Sequence, residues 1–247
     1  MQIKKPIVLI ILDGWGITKD KEKSGPYLAK TKNIDYFWDK YPHTKLHASG
    51  EEVGLPKSNQ GTSEVGHLNI GAGYIVYQSL VRINNSIKDG SFFKNKEFIS
   101  AIKNCKKHNS TLHLMGLLQD QGVHAHQSHL FALMKMAKKM GMKSDKVAIH
   151  IFTDGRDTLP NSSPHFIKIL QKEIKKTGIG YIVTIIGRYY IMDRDKRWNR
   201  TKIGYDLLNE AKGKIVDNPL KAVYSSYKHG ITDEFIKPIV IDGYSGI

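Results

Sequence analysis

The sequence predicts an α/β fold built on a layered, mostly parallel sheet, and three observations carry that prediction. From about Gln78 onward, short β-branched runs alternate with helix-period segments at the spacing of successive strand–helix units. Near the start, Pro6 to Leu12 (PIVLIIL) is an unbroken apolar run, the pattern of a strand buried on both faces. Polar clusters then recur just after the apolar runs, where a parallel sheet presents its binding crevice.

Taken in order, Pro6 to Leu12 is expected as a buried central strand with Asp13 at its carboxyl end. A short helix over 34–41, a strand over 44–48 and a loop over 50–61 lead to a serine motif closed by Gly71-Ala72-Gly73. Helices are then expected over 79–88 and 96–107, a strand over 111–115, a helix over 126–140 and a strand over 147–152. A helix over 163–176, a strand over 181–186, and helices over 197–211 and 219–227 follow. The last ten residues read as an approach to another strand, and the chain looks cut off there. The change of rhythm divides the chain into residues 1–77 and 78–247.

Composition narrows the class. With 247 residues, 40% hydrophobic and 25% charged, the chain can bury a substantial core as one large or two smaller domains. The run ending at Leu12 is too short to span a bilayer, and Asp13-Gly14-Trp15-Gly16 follows it in place of a small-residue cleavage site. The single cysteine, Cys105, forms no intrachain disulfide and suits a reducing cytoplasm. The formal charge of +15 is the excess of 38 basic over 23 acidic residues. Only six of the basic residues are arginine: Arg82, Arg156, Arg188, Arg194, Arg197 and Arg200. The lysines are spread as solvated faces, whereas four arginines fall between 188 and 200, which points to one local anion site. Aromatic residues do not interleave with the basic ones as a nucleic-acid stacking platform requires.

The chemistry-bearing residues follow the strand ends. Ser63 opens a helix-like run, a place where a serine is most often an N-cap but where backbone N–H groups and the helix dipole also favour a phosphate. Arg156, Arg188 and Arg194 suit a phosphate and a carboxylate, and Asp157 suits a hydroxyl donor. His124, His126 and His129 lie close in sequence, but without acidic or cysteine partners they make a poor zinc site. Asp13 at a strand end is the better ligand for a hard divalent ion such as Mn²⁺ or Mg²⁺, though Asp13 and Ser63 together are too few to hold one.

Five motifs in one order carry a family resemblance: LIILDGWG (9–16), SEVGHLNIGAG (63–73), HLMGLL-x-D-x-GVHAH (113–126), FTDGRDT (152–158) and GRYYIMDRDKRW (187–198). The chain resembles the N-terminal half of the cofactor-independent (2,3-bisphosphoglycerate-independent) phosphoglycerate mutases, of the alkaline phosphatase superfamily. The resemblance implies a partial phosphatase-like domain over 1–77 and an inserted α/β phosphotransferase domain over 78–247. It implies interconversion of 3-phosphoglycerate and 2-phosphoglycerate, in glycolysis and gluconeogenesis, through a phosphoserine. Ser63 matches the nucleophile, Asp13 and Ser63 match metal ligands, and His124, Arg156, Asp157, Arg188 and Arg194 match substrate binders. Two Mn²⁺ ions, no 2,3-bisphosphoglycerate and a cytoplasmic monomer are further implications. Full-length members are about twice as long, as two domains require. The missing half is expected to supply most metal ligands, leaving this chain inactive alone. The other readings are a non-catalytic phosphoglycerate-binding module and a related metal-dependent phosphatase or phosphopentomutase, with nucleic-acid binding last.

Overall fold

The computed structural model describes residues 5–57 and 59–247. These divide into two compact units, Met1–Val81 and Arg82–Ile247. The division falls within a helix, a few residues beyond the expected 77/78 boundary.

The first unit is helical where it is regular. It contains α1 (Gly25–Leu28), α2 (Lys32–Lys40), a 3₁₀ turn (Gly50–Val53) and α3 (Ser63–Ala72), and α4 (Ser79–Asp89) begins at its end. Asn69 ties α3 to the rest: its amide donates to the Val53 carbonyl at 2.9 Å and accepts from Val76 N at 2.7 Å. Gly54 and Gly61 sit against the backbone of Val76 and Ala48, so closely that any Cβ would collide. Two expectations fail here. Pro6 to Leu12 is not a buried strand, and neither is the stretch over 44–48; the described residues of this unit contain no strand. Ile7 is 96% exposed and Leu12 still 45%. A strand needs a neighbour for its N–H and C=O groups, and this unit provides none among its described residues.

The second unit fulfils the α/β prediction. After a 3₁₀ turn at Ser91–Lys94 come α5 (Lys96–His108), β1 (Leu112–Leu117), α6 (Gln127–Lys139), β2 (Val147–Thr153), α7 (Ser163–Thr177) and β3 (Tyr181–Gly187). These are followed by α8 (Arg188–Ile191), α9 (Trp198–Glu210), β4 (Lys214–Val216), α10 (Pro219–Lys228), a 3₁₀ turn (Asp233–Phe235) and β5 (Ile239–Ile241). The sheet order is β1-β2-β3-β5-β4. The β1/β2, β2/β3 and β4/β5 pairs are parallel, and β3/β5 is antiparallel.

Both faces of this sheet are covered, which is why β2 reads as nearly continuous apolar sequence. Ile149, Ile151 and Ile185 pack with Met134, Ile167, Leu170 and Val223 from α6, α7 and α10. On the other face Ile186 and Val240 meet Leu207 of α9, with Phe152, Tyr190 and Ile191 around them. Helix ends are capped as the local sequence dictates: Asn95 Oδ1 accepts from Glu97 N and Phe98 N, and Asn218 Oδ1 from Lys221 N. Among the described residues, no helix is long and apolar enough to cross a membrane.

Candidate functional site

In the first unit, Ser63 and Asp13 come together across fifty residues of sequence. The Ser63 hydroxyl donates to Asp13 Oδ2 at 2.5 Å. Ser63 is free to do so because it is not the cap of α3: the N-cap is Thr62, whose Oγ1 accepts from Val65 N at 3.3 Å. His67, one turn along, places Nδ1 2.9 Å from the Ser63 carbonyl and 3.3 Å from its Oγ. Ser63 and Asp13 are both exposed. A carboxylate and a hydroxyl are hard oxygen donors of the kind Mn²⁺ or Mg²⁺ takes, but they fill only two of about six positions. Among the described residues, no three His, Cys, Asp or Glu side chains group to hold a metal. The pair therefore fits a divalent ion in donor type and falls short in donor number.

In the second unit the topology does most of the work. Because β1, β2 and β3 run parallel, their carboxyl ends share one edge of the sheet, and the polar clusters after them meet there. His124 lies in the loop after β1, Arg156 and Asp157 in the loop after β2, and Arg188 directly after β3. Together with Arg194 they line one cleft of about 180 Å³. That is below the roughly 300–1,000 Å³ typical of drug-sized ligands, so the space suits a small, highly polar molecule.

Arg188 is the electrostatic centre of the cleft. Its side chain is only 9% exposed and its Nη1 donates to Asp157 Oδ2 at 2.7 Å and to Asp154 Oδ1. Burial opposes its charge, but the hydrogen bonds it donates to Asp157 and Asp154 outweigh that and hold the guanidinium above its ordinary pKa. Asp154 Oδ2 is buried and has no protein partner among the described residues. His124 Nε2 lies 3.7 Å from Asp157 Oδ2, so the same carboxylate faces both the arginine and the histidine. Arg156 Nη1 is 3.3 Å from Glu234 Oε1. Arg200 stacks 3.8 Å from the Tyr189 ring centroid, and its Nη1 is 3.3 Å from Asp193 Oδ1. Arg194 has no ion-pair partner among the described residues.

The cleft thus lines four arginines (Arg156, Arg188, Arg194 and Arg200) with four carboxylates (Asp157, Asp193, Asp195 and Glu234). Such balance disfavours a polyanion and suits a ligand that carries both anionic groups and hydroxyl donors. The three nearby histidines face different partners. His124 faces the cleft, His126 caps α6 by accepting from Ser128 N at 3.2 Å, and His129 Nε2 is 2.8 Å from Asn84 Oδ1. Of the arginine cluster, Arg197 does not line the cleft; it precedes α9, and its N–H donates to Asp193 Oδ2 at 2.8 Å.

Sequence reasoning missed Asp154, Asp193, Asp195 and Glu234, whereas Arg200 belonged to the arginine cluster it singled out. The three aspartates lie inside quoted motifs, and acid–arginine alternation there was an available signal. Glu234 carried none, since it is brought to the cleft only by the reversal of β5.

Comparison with known proteins gives a consistent picture. Residues 83–246 match the family model described as BPG-independent PGAM N-terminus. A 2,3-bisphosphoglycerate-independent phosphoglycerate mutase of Acetivibrio thermocellus is 50% identical over 237 residues, covering 96% of this chain and 46% of that protein. The Clostridium kluyveri protein of the same name is 51% identical over 239 residues, covering 97% and 47%. Among solved structures, one described as Leishmania mexicana phosphoglycerate mutase at low cobalt concentration superposes with a TM-score of 0.72 at 28% identity, covering 89% of this chain and 42% of that one. The chain spans about half the length of the curated relatives it matches. By the family match and the half-identical relatives together, the chain belongs to the BPG-independent phosphoglycerate mutase N-terminus family.

Proposed function

We propose that this chain supplies the nucleophile and the phosphoglycerate-binding cleft of a 2,3-bisphosphoglycerate-independent phosphoglycerate mutase. The enzyme interconverts 3-phosphoglycerate and 2-phosphoglycerate. The observation that carries this reading is the convergence of His124, Arg156, Asp157, Arg188 and Arg194 on one small cleft balanced between arginines and carboxylates.

In this reading Ser63 Oγ attacks the substrate phosphorus and the bond from phosphorus to the 3-oxygen breaks, leaving a phosphoserine and glycerate. The 2-hydroxyl of glycerate then attacks the phosphoserine and releases Ser63. The hydrogen bond to Asp13 orients Oγ, and the N-terminal turn of α3 offers backbone N–H groups and a favourable dipole to the phosphoryl oxygens. Arg156, Arg188 and Arg194 hold the anionic groups of the substrate and Asp157 and His124 bind its glycerate hydroxyls, while the serine proton leaves on the 3-oxygen and the 2-hydroxyl proton returns to Ser63. Asp13 and Ser63 would hold a divalent ion, Mn²⁺ in our reading and one of two, which lowers the pKa of a bound hydroxyl. Two donors would leave most of that ion's positions to other ligands. A relative studied with cobalt supports a metal requirement of this kind. We place the complete enzyme in the cytoplasm as a monomer acting on a small molecule, without nucleic acid or membrane.

The test is calorimetric titration of the chain with 3-phosphoglycerate, against glycerate and inorganic phosphate. Arg194→Ala strands no paired carboxylate, so its effect reports ligand contact. Selective binding of 3-phosphoglycerate, weakened about ten- to a hundredfold in Arg194→Ala, is expected for the loss of a charged hydrogen bond. Equal binding of glycerate, or no loss in the variant, contradicts the assignment.

A further inference from the structure

The antiparallel turn of the sheet puts a segment of chain where the parallel strands alone would leave a gap. Because β5 runs against β3, the residues leading into it arrive at the same edge as the carboxyl ends of β2 and β3. That segment, Asp233–Phe235 and Ile236, sits directly against the two glycines that precede the cleft's arginines. Gly155, before Arg156, has φ +70°, and a Cβ there would lie 2.7 Å from Glu234 N. Gly187, before Arg188, faces the Glu234 carbonyl, and its N–H donates to the Ile236 carbonyl at 2.8 Å. Only glycine allows so close an approach at either position.

The turn is pinned from below. Asp233 is fully buried, and its Oδ2 accepts from Ser162 N at 2.8 Å and Ser163 N at 2.9 Å, while its Oδ1 accepts from the Tyr227 hydroxyl. Its carbonyl accepts from Thr153 Oγ1 at 2.7 Å, and its N–H donates to the Pro160 carbonyl at 2.8 Å. A carboxylate buried this completely is tolerated because donors surround it. From this fixed base Glu234 extends its carboxylate to Arg156, whose side chain is 60% exposed and otherwise long and mobile. One N–H of the guanidinium goes to Glu234 and the others stay available.

We propose that Glu234 is a positioning residue of this cleft, anchored by the Asp233 clasp, which holds the Arg156 guanidinium ready for the ligand's anionic group. The inference rests on the phosphoglycerate-binding reading above. Glu234 acts through Arg156 and takes no part in the chemistry.

Two measurements on the full chain test it. The first needs no ligand: ¹⁵N relaxation at Arg156 Nε. This nitrogen is expected to be ordered in wild type and in Glu234→Gln, whose amide oxygen still accepts, and mobile in Glu234→Ala. Unchanged order in Glu234→Ala overturns the proposal. The second is a double-mutant cycle on 3-phosphoglycerate binding. Glu234→Ala is expected to weaken binding roughly two- to fivefold, the range of a partly exposed ion pair. Glu234→Gln should recover most of that, and in an Arg156→Ala background the Glu234→Ala change should cost nothing further. Additive losses, or tighter binding in Glu234→Ala as for a competing carboxylate, overturn it. If wild type binds no 3-phosphoglycerate, the functional reading fails while the relaxation result still decides the role of Glu234.

Discussion

The two units of this chain handle apolar surface in opposite ways. The second unit encloses Ile149, Ile151, Ile167, Leu170, Ile185 and Ile186 essentially completely, between helices on both faces of a five-stranded sheet. The first, among its described residues, buries Val53, Val65 and Val81, and leaves Ile7, Val8, Leu46 and Tyr74 each at least 70% exposed. Both carry residues that we propose act in one reaction. The cleft of the second unit is braced by ion pairs in a packed scaffold, whereas the Ser63–Asp13 pair of the first rests on a few backbone and side-chain hydrogen bonds. The difference teaches that two regions of one chain, each carrying candidate functional residues, need not be equally supported by the packing around them.

Hydrogen exchange on the intact chain gives the largest contrast. Amides of β2 and β3 are expected to open only with global unfolding, typically 5–15 kcal/mol for a domain, and those of residues 5–48 to exchange with almost no protection. Comparable protection in both units would break the comparison. Next is Arg188→Ala, which leaves Asp154 and Asp157 facing each other without their shared cation. A loss of about 3–5 kcal/mol in denaturant unfolding of the second unit is expected, as when one partner of a buried pair is removed. A loss below 1 kcal/mol would mean that water already reaches those carboxylates.

Histidine burial sharpens the contrast through pH. His150 on β2 has Nδ1 2.8 Å from Thr184 Oγ1 and Nε2 2.9 Å from His113 Nδ1. Burial, and secondarily His113, lowers its pKa from 6.5 to about 4. The unfolded chain therefore takes up a proton first as pH falls. The stability of the second unit is expected to be complete above pH 6.5 and to decline by roughly 3 kcal/mol as pH falls towards 4. His150→Gln should flatten that part of the unfolding-versus-pH curve; an unaltered slope would assign it to other groups. At the small end, Thr62→Ala should cost about 1 kcal/mol or less by removing the α3 cap. Ser63→Ala, at an exposed hydroxyl, should stay within about 0.5 kcal/mol. A reversed order in thermal melts would return the cap to Ser63.

Much of the second unit was legible because local pattern and tertiary environment agree there. The run VAIHIFT is apolar because both sheet faces are covered, and the expected strand over 147–152 differs from β2 by one residue. The helix expected over 163–176 likewise matches α7 within one residue. Pro6 to Leu12 is at least as apolar and β-branched and forms no strand, since hydrophobicity and β-branching express a demand for neighbours without supplying them. The short β4, flanked by Gly213 and Asp217, offered too little periodicity to read, and the antiparallel direction of β5 depends on where the chain returns to the sheet. The parallel strand ends made His124, Arg156, Asp157 and Arg188 readable as one group. Their carboxylate partners were harder to foresee: Asp154 looked like a turn residue, and Glu234 reaches Arg156 across 78 residues.

We propose that this chain holds the phosphoglycerate-binding cleft, while its serine needs metal ligands that Asp13 and Ser63 alone do not supply. The most direct test is to supply the intact chain with 3-phosphoglycerate and Mn²⁺ and to follow binding and mutase turnover together. The account predicts binding that survives Ser63→Ala, falls in Arg194→Ala and gives little or no turnover. Robust turnover abolished by Ser63→Ala would contradict it.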